Sequence, residues 1–496
     1  MTTEATDAIT DQREAAVLAD VPNQLLIGGS WRASSSGATL PVEDPATGQI
    51  LVHVADATPE DGEAALSAAV AAGRSWAATA PRARGEILRR AYEAIVAQVD
   101  ELALLMTLEM GKSVVESRGE ILYAAEFFRW FSEEAVRIGG RFATAPDGRT
   151  RLLTSQRPVG PCLLITPWNF PMAMGTRKIG PAVAAGCTMV VKPAAQTPLS
   201  MLALARILVD AGLPDGVLNV ITTSASGQVM EPLIRDPRLR KLSFTGSTPV
   251  GQRLIEQSAQ RVLRTSMELG GNAPFVVFDD ADIDRAVEGA VQAKMRNVGQ
   301  ACTAANRFHV QAGIAPEFTR RLADRLAAMT LGRGTDDGVE VGPLVDDAGR
   351  TKVAELVDDA VRKGATVATG GRAVDRPGYF YAPTVLVDVP ATARILQEEV
   401  FGPVAPITTF TTEDEGIAAA NDTEYGLAAY VFTRDLERAM RVCESLEAGM
   451  VGLNLGIISN PAAPFGGMKS SGFGREGGAE GIHEYLETQY VGIAAS

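Results

Sequence analysis

A chain of 496 residues is longer than one hydrophobic core ordinarily organises, so two or three domains are expected. With 46% hydrophobic residues, 21% charged residues and 49 glycines it has the make-up of a globular α/β protein, which excludes collagen, coiled coil and wholesale disorder. A formal charge of −14 argues against nucleic-acid partners and requires that any anionic ligand be met by locally placed cations.

Residues 1–20 are polar and acidic, lack a basic segment followed by an apolar one, and are expected to form a loose tail rather than a signal peptide. No run approaches the roughly 20 apolar residues of a membrane helix, so a cytoplasmic location without membrane contact is expected. Residues 21–56 hold short strand-like pieces punctuated by Gly, Pro and Asp, the pattern of hairpins. From Pro59 to Gly139, Ala, Leu and Ile recur three and four residues apart, which predicts helices. A different grammar follows: PCLLIT, MAMGTRKIGPAVAAG, CTMVVK, PLSMLALARILVDAG and VLNVIT alternate buried strands with helices, the mark of a doubly wound parallel sheet. KLSF adds a strand leading into TGSTPVG and a helix. Ligands of such sheets bind beyond the carboxyl ends of the strands, so TPWNFP, KPAAQTP and TGSTPVG are expected to face one. A second α/β region runs from about Leu269 to Gly472, and HEYLETQYVGI alternates like a strand that joins another sheet.

Four cysteines without a C-x-x-C pair suggest neither a disulfide framework nor a metal site, and three histidines leave little room for histidine chemistry. His309, in RFHVQ, reads as a structural strand residue. Cys302 differs from the other thiols: it lies in VGQACTAANR, between helix and strand with polar and glycine neighbours, and is either a structural thiol or a nucleophile. Asn169 in PWNFP is either a turn former or a donor at a strand end. The run Gly246-Ser247-Thr248-Pro249-Val250-Gly251 is not the usual G-x-G-x-x-G, yet between strand and helix it offers backbone amides and the Ser247 hydroxyl to a pyrophosphate.

Seven motifs then occur together: PWNFP at 167–171, KPA at 192–194, FTGS at 244–247, MELGGN at 267–272, GQACTAANR around Cys302, EEVFGP at 398–403 and PFGGMKSSGFGRE at 464–476. In this order the chain resembles the aldehyde dehydrogenase superfamily from about residue 22 onward. The resemblance implies two doubly wound α/β domains, cofactor-binding and catalytic, with a small β oligomerisation arm. It divides the chain into residues 21–138 and 160–268 for the cofactor, 269–472 for catalysis, and 139–159 with 473–496 for the arm. It implies that Cys302 is the nucleophile, that Asn169 and the Cys302 backbone N–H hold the oxyanion, and that Glu268 is the general base, with its two following glycines leaving room for substrate and water. Thr166, Pro167, Trp168, Lys192, Ala195, Gly246, Ser247, Glu399 and Phe401 are implied to hold the dinucleotide, with no metal. Arg177, Arg296 and Ser459 match the residues that hold a substrate carboxylate in the succinate-semialdehyde dehydrogenase subfamily. Where NAD-specific members carry a glutamate, this chain has Ala195, so NADP is the expected cofactor, with NAD possible. Ala304 replaces a second cysteine that serves some relatives as a redox switch. A homodimer or homotetramer is expected. The rival readings are oxidation of another aliphatic aldehyde, a CoA-acylating reaction, which Glu268 disfavours, and a cofactor-binding relative without turnover.

Overall fold

The computed structural model describes residues 3–495. Two hairpins open the ordered core. In the first, Leu25–Ile27 pairs with Ser30–Arg32 through Gly28 and Gly29, both with positive φ (61° and 84°), the backbone a tight two-residue hairpin loop needs. The helix Pro59–Ala77 starts where Thr58 and Asp61 cap each other reciprocally and Pro59 fills the first turn.

The first sheet runs in the order Ser30–Arg32, Leu25–Ile27, Leu218–Val220, Met189–Lys192, Cys162–Ile165, Lys241–Thr245, Arg264–Glu268, Gly472–Phe473. Its five central strands are parallel and both edges antiparallel. The chain lays down strands in one direction from Cys162–Ile165 and then resumes on the other side with Lys241–Thr245. The crevice between those two strands is therefore the place where a doubly wound sheet takes its ligand. The second sheet, seven strands from Thr366–Thr369 to Met450–Leu453, is parallel apart from one antiparallel edge. Aromatic packing fills its centre: Phe275 stacks on Phe432 at 4.8 Å and leans on Phe308 at 5.1 Å.

A third, antiparallel sheet joins Arg141–Thr144, Thr150–Pro158 and Leu486–Ala494. Phe142, Leu153, Tyr490, Val491 and Ile493 stand exposed on it. Within residues 473–496, Phe473 pairs with Met267 on the first sheet, and Leu486–Ala494 supplies the third.

The loose tail expected for residues 1–20 is corrected. Met1 and Thr2 lie outside the described residues, but Thr3–Asp20 is a helix. No Gly or Pro interrupts it, Val17 and Leu18 pack against the first core, and Arg333 grips Glu14 through two 2.9 Å bonds while also pairing with Asp44. Acidity was read as solvation; one of those acids is instead the partner of a distant arginine. No helix among the described residues is long and apolar enough to cross a membrane.

Candidate active site

The crevice at the first sheet's carboxyl end opens into a cleft of about 370 Å³. Pro167, Trp168, Gly246, Ser247, Glu399 and Phe401 line it, and Cys302 and Asn169 lie at its inner end. Ser247 precedes the helix Thr248–Ala259 in extended backbone and its hydroxyl makes no capping bond, so the first-turn amides face the cleft without a side-chain partner. Thr166 Oγ1 and Thr245 Oγ1, which end the two strands flanking the crevice, are buried with no partner. These unpartnered hydroxyls and the uncapped helix start fit a dinucleotide. Phe401 adopts a left-handed φ of 53° and meets Trp168 edge to face at 5.3 Å, which fixes the turn that carries Glu399. Glu399 Oε1 accepts the Gly271 amide at 3.1 Å, and burial pushes its carboxyl up to about 7. Lys192 ends its strand nearly enclosed; burial alone pushes its amine down to about 8, with no carboxylate acting on it. Ala195 lies half-buried three residues on.

Cys302 sits on a backbone under strain. Asn297 and Val298 take consecutive left-handed conformations (φ 54° and 58°), which cost a β-branched residue about 1–3 kcal/mol. Surrounding bonds hold them there. Glu116 Oε1 accepts the Asn297 amide at 2.7 Å, and Asn297 Nδ2 donates to the carbonyls of Asn169 (2.8 Å) and Gln300 (3.0 Å). Gln300 in turn accepts the Val345 amide at 3.0 Å. Asn169 Nδ2 donates one hydrogen to the Gln300 carbonyl at 3.0 Å, leaving its second for another acceptor. Lys112, buried and paired with Glu120, donates to the Asn169 carbonyl at 2.9 Å, so the loop bearing this donor is braced from behind.

The Cys302 thiol is pushed up to about 12, first by burial; Arg177 and Arg296 oppose this while Glu399 and Glu268 add to it. All four charged groups thus converge on one sulfur. Glu268 ends the strand Arg264–Glu268 at 2% exposure, with neither carboxylate oxygen hydrogen-bonded. Burial and neighbouring Glu476 hold its carboxyl well above the ordinary range, against the pull of Arg177, Lys178 and Arg475. Of the two glycines after it, Gly270 borders the cleft and Gly271 makes room for protein. A Cβ on Gly271 would stand 2.2 Å from the Cys302 carbonyl, and one on Gly270 3.1 Å from Glu399.

Arg177 is 1% exposed and paired through Nε with Glu476, stacked 3.9 Å from the Phe465 ring; its Nη2 is buried without a partner. Arg296 is half-buried, 4.8 Å over Phe170, and reaches Ser459 Oγ only at 3.4 Å. Half-buried Tyr123 lies under Arg296, its ring 5.7 Å from the guanidinium. Sequence reasoning gave no role to Tyr123, Glu116, Lys112, Glu120, Lys178 or Glu476. Lys178 and Glu476 lay inside segments that it quoted, and a charged residue amid the alanines and glycines of AMGTRKIGPAVAAG was the available signal. His309 bonds Thr408 at 2.8 Å and is pushed down to about 3 by burial, so it is a neutral structural residue. All four thiols are free, and no cluster of metal-ligating side chains occurs among the described residues.

The model of the aldehyde dehydrogenase family matches residues 31–491. Succinate-semialdehyde dehydrogenase of Paenarthrobacter nicotinovorans is 62% identical over 90% of this chain and 99% of its own. The NADP(+) succinate-semialdehyde dehydrogenase of Escherichia coli strain K12 is 51% identical over 95% of this chain and 97% of its own. The crystal structure of an E. coli NADP-dependent enzyme superposes with a TM-score of 0.95 at 50% identity, covering 96% of this chain and 98% of the other.

Proposed function

The chain belongs to the aldehyde dehydrogenase family, and from that premise we propose that it oxidises succinic semialdehyde to succinate with NADP as its preferred cofactor. One observation carries the substrate: Ser459 and Tyr123 lie against Arg296, Arg177 Nη2 is a buried donor that lacks an acceptor, and the charges of both arginines act on Cys302. In a protein of charge −14, that pairing of cations and unspent donors suits an aldehyde bearing a carboxylate.

Cys302 adds to the carbonyl carbon as a thiolate. Burial raises the thiol while Arg177 and Arg296 favour the thiolate, and the thiol proton leaves to water in the cleft that Cys302 lines, so that Glu268 stays free for the second half of the reaction. Asn169 Nδ2, through its second hydrogen, and the Cys302 amide hold the oxygen of the thiohemiacetal. NADP in the cleft would supply the hydride acceptor, held by the helix that begins at Thr248, by Glu399 and by Lys192. The thioester left on Cys302 is then hydrolysed by water that Glu268 deprotonates. Lys192, with no carboxylate near it, and Ala195, with no charge to repel one, suit a 2′-phosphate.

The remaining assignments follow the same premise. Thr166, Pro167, Trp168, Gly246, Ser247 and Phe401 form the dinucleotide cleft, and the first and second sheets are the cofactor and catalytic halves. The apolar face with Phe142, Tyr490 and Ile493 is covered by another copy in a homo-oligomer, and the protein works in the cytoplasm. A panel of succinic semialdehyde, glutaric semialdehyde and butyraldehyde against both cofactors tests the reading. Preference for the four-carbon semialdehyde with NADP is expected, and equal efficiency with butyraldehyde would overturn it.

A further inference from the structure

The helix Ile283–Met295, which leads into the nucleophile turn, buries Val287, Ala290 and Val291 along one stripe. Position 294, three residues after Val291 and four after Ala290, continues that stripe and calls for an apolar side chain. It carries Lys294, which is 0% exposed. An ammonium taken out of water is costly unless a counter-charge and hydrogen bonds replace its hydration, and a methionine of similar length would fill the same space without that cost.

Lys294 is tied to the cofactor cleft through Gly271. Its Nζ donates to Asn306 Oδ1 at 2.9 Å, and Asn306 Nδ2 donates to the Gly271 carbonyl at 3.4 Å. The Gly271 amide in turn donates to Glu399 Oε1 at 3.1 Å. Gly271 is thus held at both ends, by Asn306 on one side and the Glu399 carboxylate on the other, and its missing Cβ lets the Cys302 carbonyl close against it. Among the described residues Glu399 is the acid whose charge acts on Lys294, and Lys294 and Lys352 are the cations whose charges act on Glu399. Lys352 lines the cleft and its Nζ donates to the Glu399 carbonyl at 2.7 Å. The other titratable groups that feel Glu399 are Cys302 and Tyr425, both held above their ordinary values.

We propose that Lys294 is a positioning residue for cofactor binding: anchored by Asn306 behind Gly271, its ammonium is the counter-charge that holds Glu399 as the anion which accepts ribose hydroxyls of the dinucleotide. The inference rests on the reading of Glu399 as a group that holds NADP. The two charges depend on each other. Burial pushes the Glu399 carboxyl up to about 7 and the Lys294 amine down to about 7, so near neutral pH each is close to losing its charge, and each charge favours the other. Without the ammonium the carboxyl rises further, and Glu399 becomes anionic only at higher pH. Once the pH is high enough the carboxylate is present with or without Lys294, so the loss is confined to neutral and acid conditions.

The test is the dissociation constant of NADP, followed by quenching of tryptophan fluorescence since Trp168 lines the cleft, for the wild type, Lys294→Met, Lys294→Gln and Glu399→Gln. Each is titrated at a series of pH values from slightly acid to strongly alkaline. In both Lys294 variants the midpoint for tight binding should move up by about one pH unit, so that NADP binds up to about tenfold more weakly near neutral pH and within about twofold of the wild type at the alkaline end. Glutamine still donates to Asn306 and isolates the charge, whereas methionine removes the donor as well. Recovery at high pH is what a merely structural lysine would not give, because a distorted cleft stays distorted at every pH. Equal weakening across the whole range, or unchanged binding near neutral pH, would overturn the proposal. If Glu399→Gln binds NADP as tightly as the wild type, the reading of Glu399 falls first, which distinguishes the two failures.

Discussion

Replacing Arg296 with methionine isolates the charge that the substrate carboxylate is proposed to meet. In the free protein Arg296 is nearly uncommitted: its one hydrogen bond is the 3.4 Å contact with Ser459, and its remaining contacts are the faces of Phe170 and Tyr123. Methionine keeps an apolar stem against those rings, so the pocket retains its packing. Glu116, an acid that the Arg296 charge acts on, stays anchored by the Asn297 amide. The loss therefore falls on the bound state. A charge-assisted bond contributes about 1.5–3 kcal/mol, which predicts a drop of roughly 10- to 150-fold in kcat/KM for succinic semialdehyde. Butyraldehyde, of equal carbon count but uncharged, should change by less than about threefold, since no charge-assisted bond is lost. Initial rates of NADPH formation with both aldehydes, across a range of concentrations, give the ratio. Equal losses on the two substrates would show that Arg296 shapes the pocket rather than reading the carboxylate. Arg177 is a poorer probe because its removal also strips a buried partner from Glu476.

Glu268→Gln should form one equivalent of NADPH and then stall as acyl-enzyme, seen as a burst without steady turnover; Asn169→Ala should cost about 10²–10³ in kcat, the usual loss for one oxyanion donor. Because the Glu268 carboxyl is held well above the ordinary range and acts as a base only when deprotonated, hydrolysis should speed up as pH rises through neutral. A decay rate that fell with pH would contradict this. With the Cys302 thiol pushed up to about 12, its alkylation by iodoacetamide should rise about tenfold per pH unit through neutral in the free protein; a plateau there would mean that the thiolate is stabilised at rest. Ala195→Glu should shift the NADP to NAD preference towards NAD by about tenfold, or about 1.4 kcal/mol, measured as the ratio of kcat/KM for the two cofactors.

The parallel sheets were legible because their strands are short apolar runs separated by helical periodicity. The motif-bearing turns were legible because they follow those strands directly. What the sequence withheld is long-range. Glu14 reads as a solvated acid until Arg333 arrives from 319 residues away. Gly271 reads as space for a substrate until the Cys302 carbonyl packs against it. The direction in which the thiol is shifted depends on a balance of burial and four charges drawn from distant segments, and no local pattern encodes it. An intermediate case is the strand pair Lys241–Thr245 and Arg264–Glu268: the alternation K-L-S-F-T and R-T-S-M-E is visible in one dimension, but only the register places Ser243 against Ser266.

The pairing of Glu476 with Arg177 and Lys178 has a consequence for biosynthesis. Those two cations precede their carboxylate by nearly 300 positions, so they are synthesised long before it. A nascent chain that has reached residue 470 can assemble every central strand of the first sheet yet holds two buried cations without their anion, a deficit of about 3–5 kcal/mol for a broken buried pair. The charge balance around the reactive thiol is therefore incomplete until the segment that carries Glu476 docks.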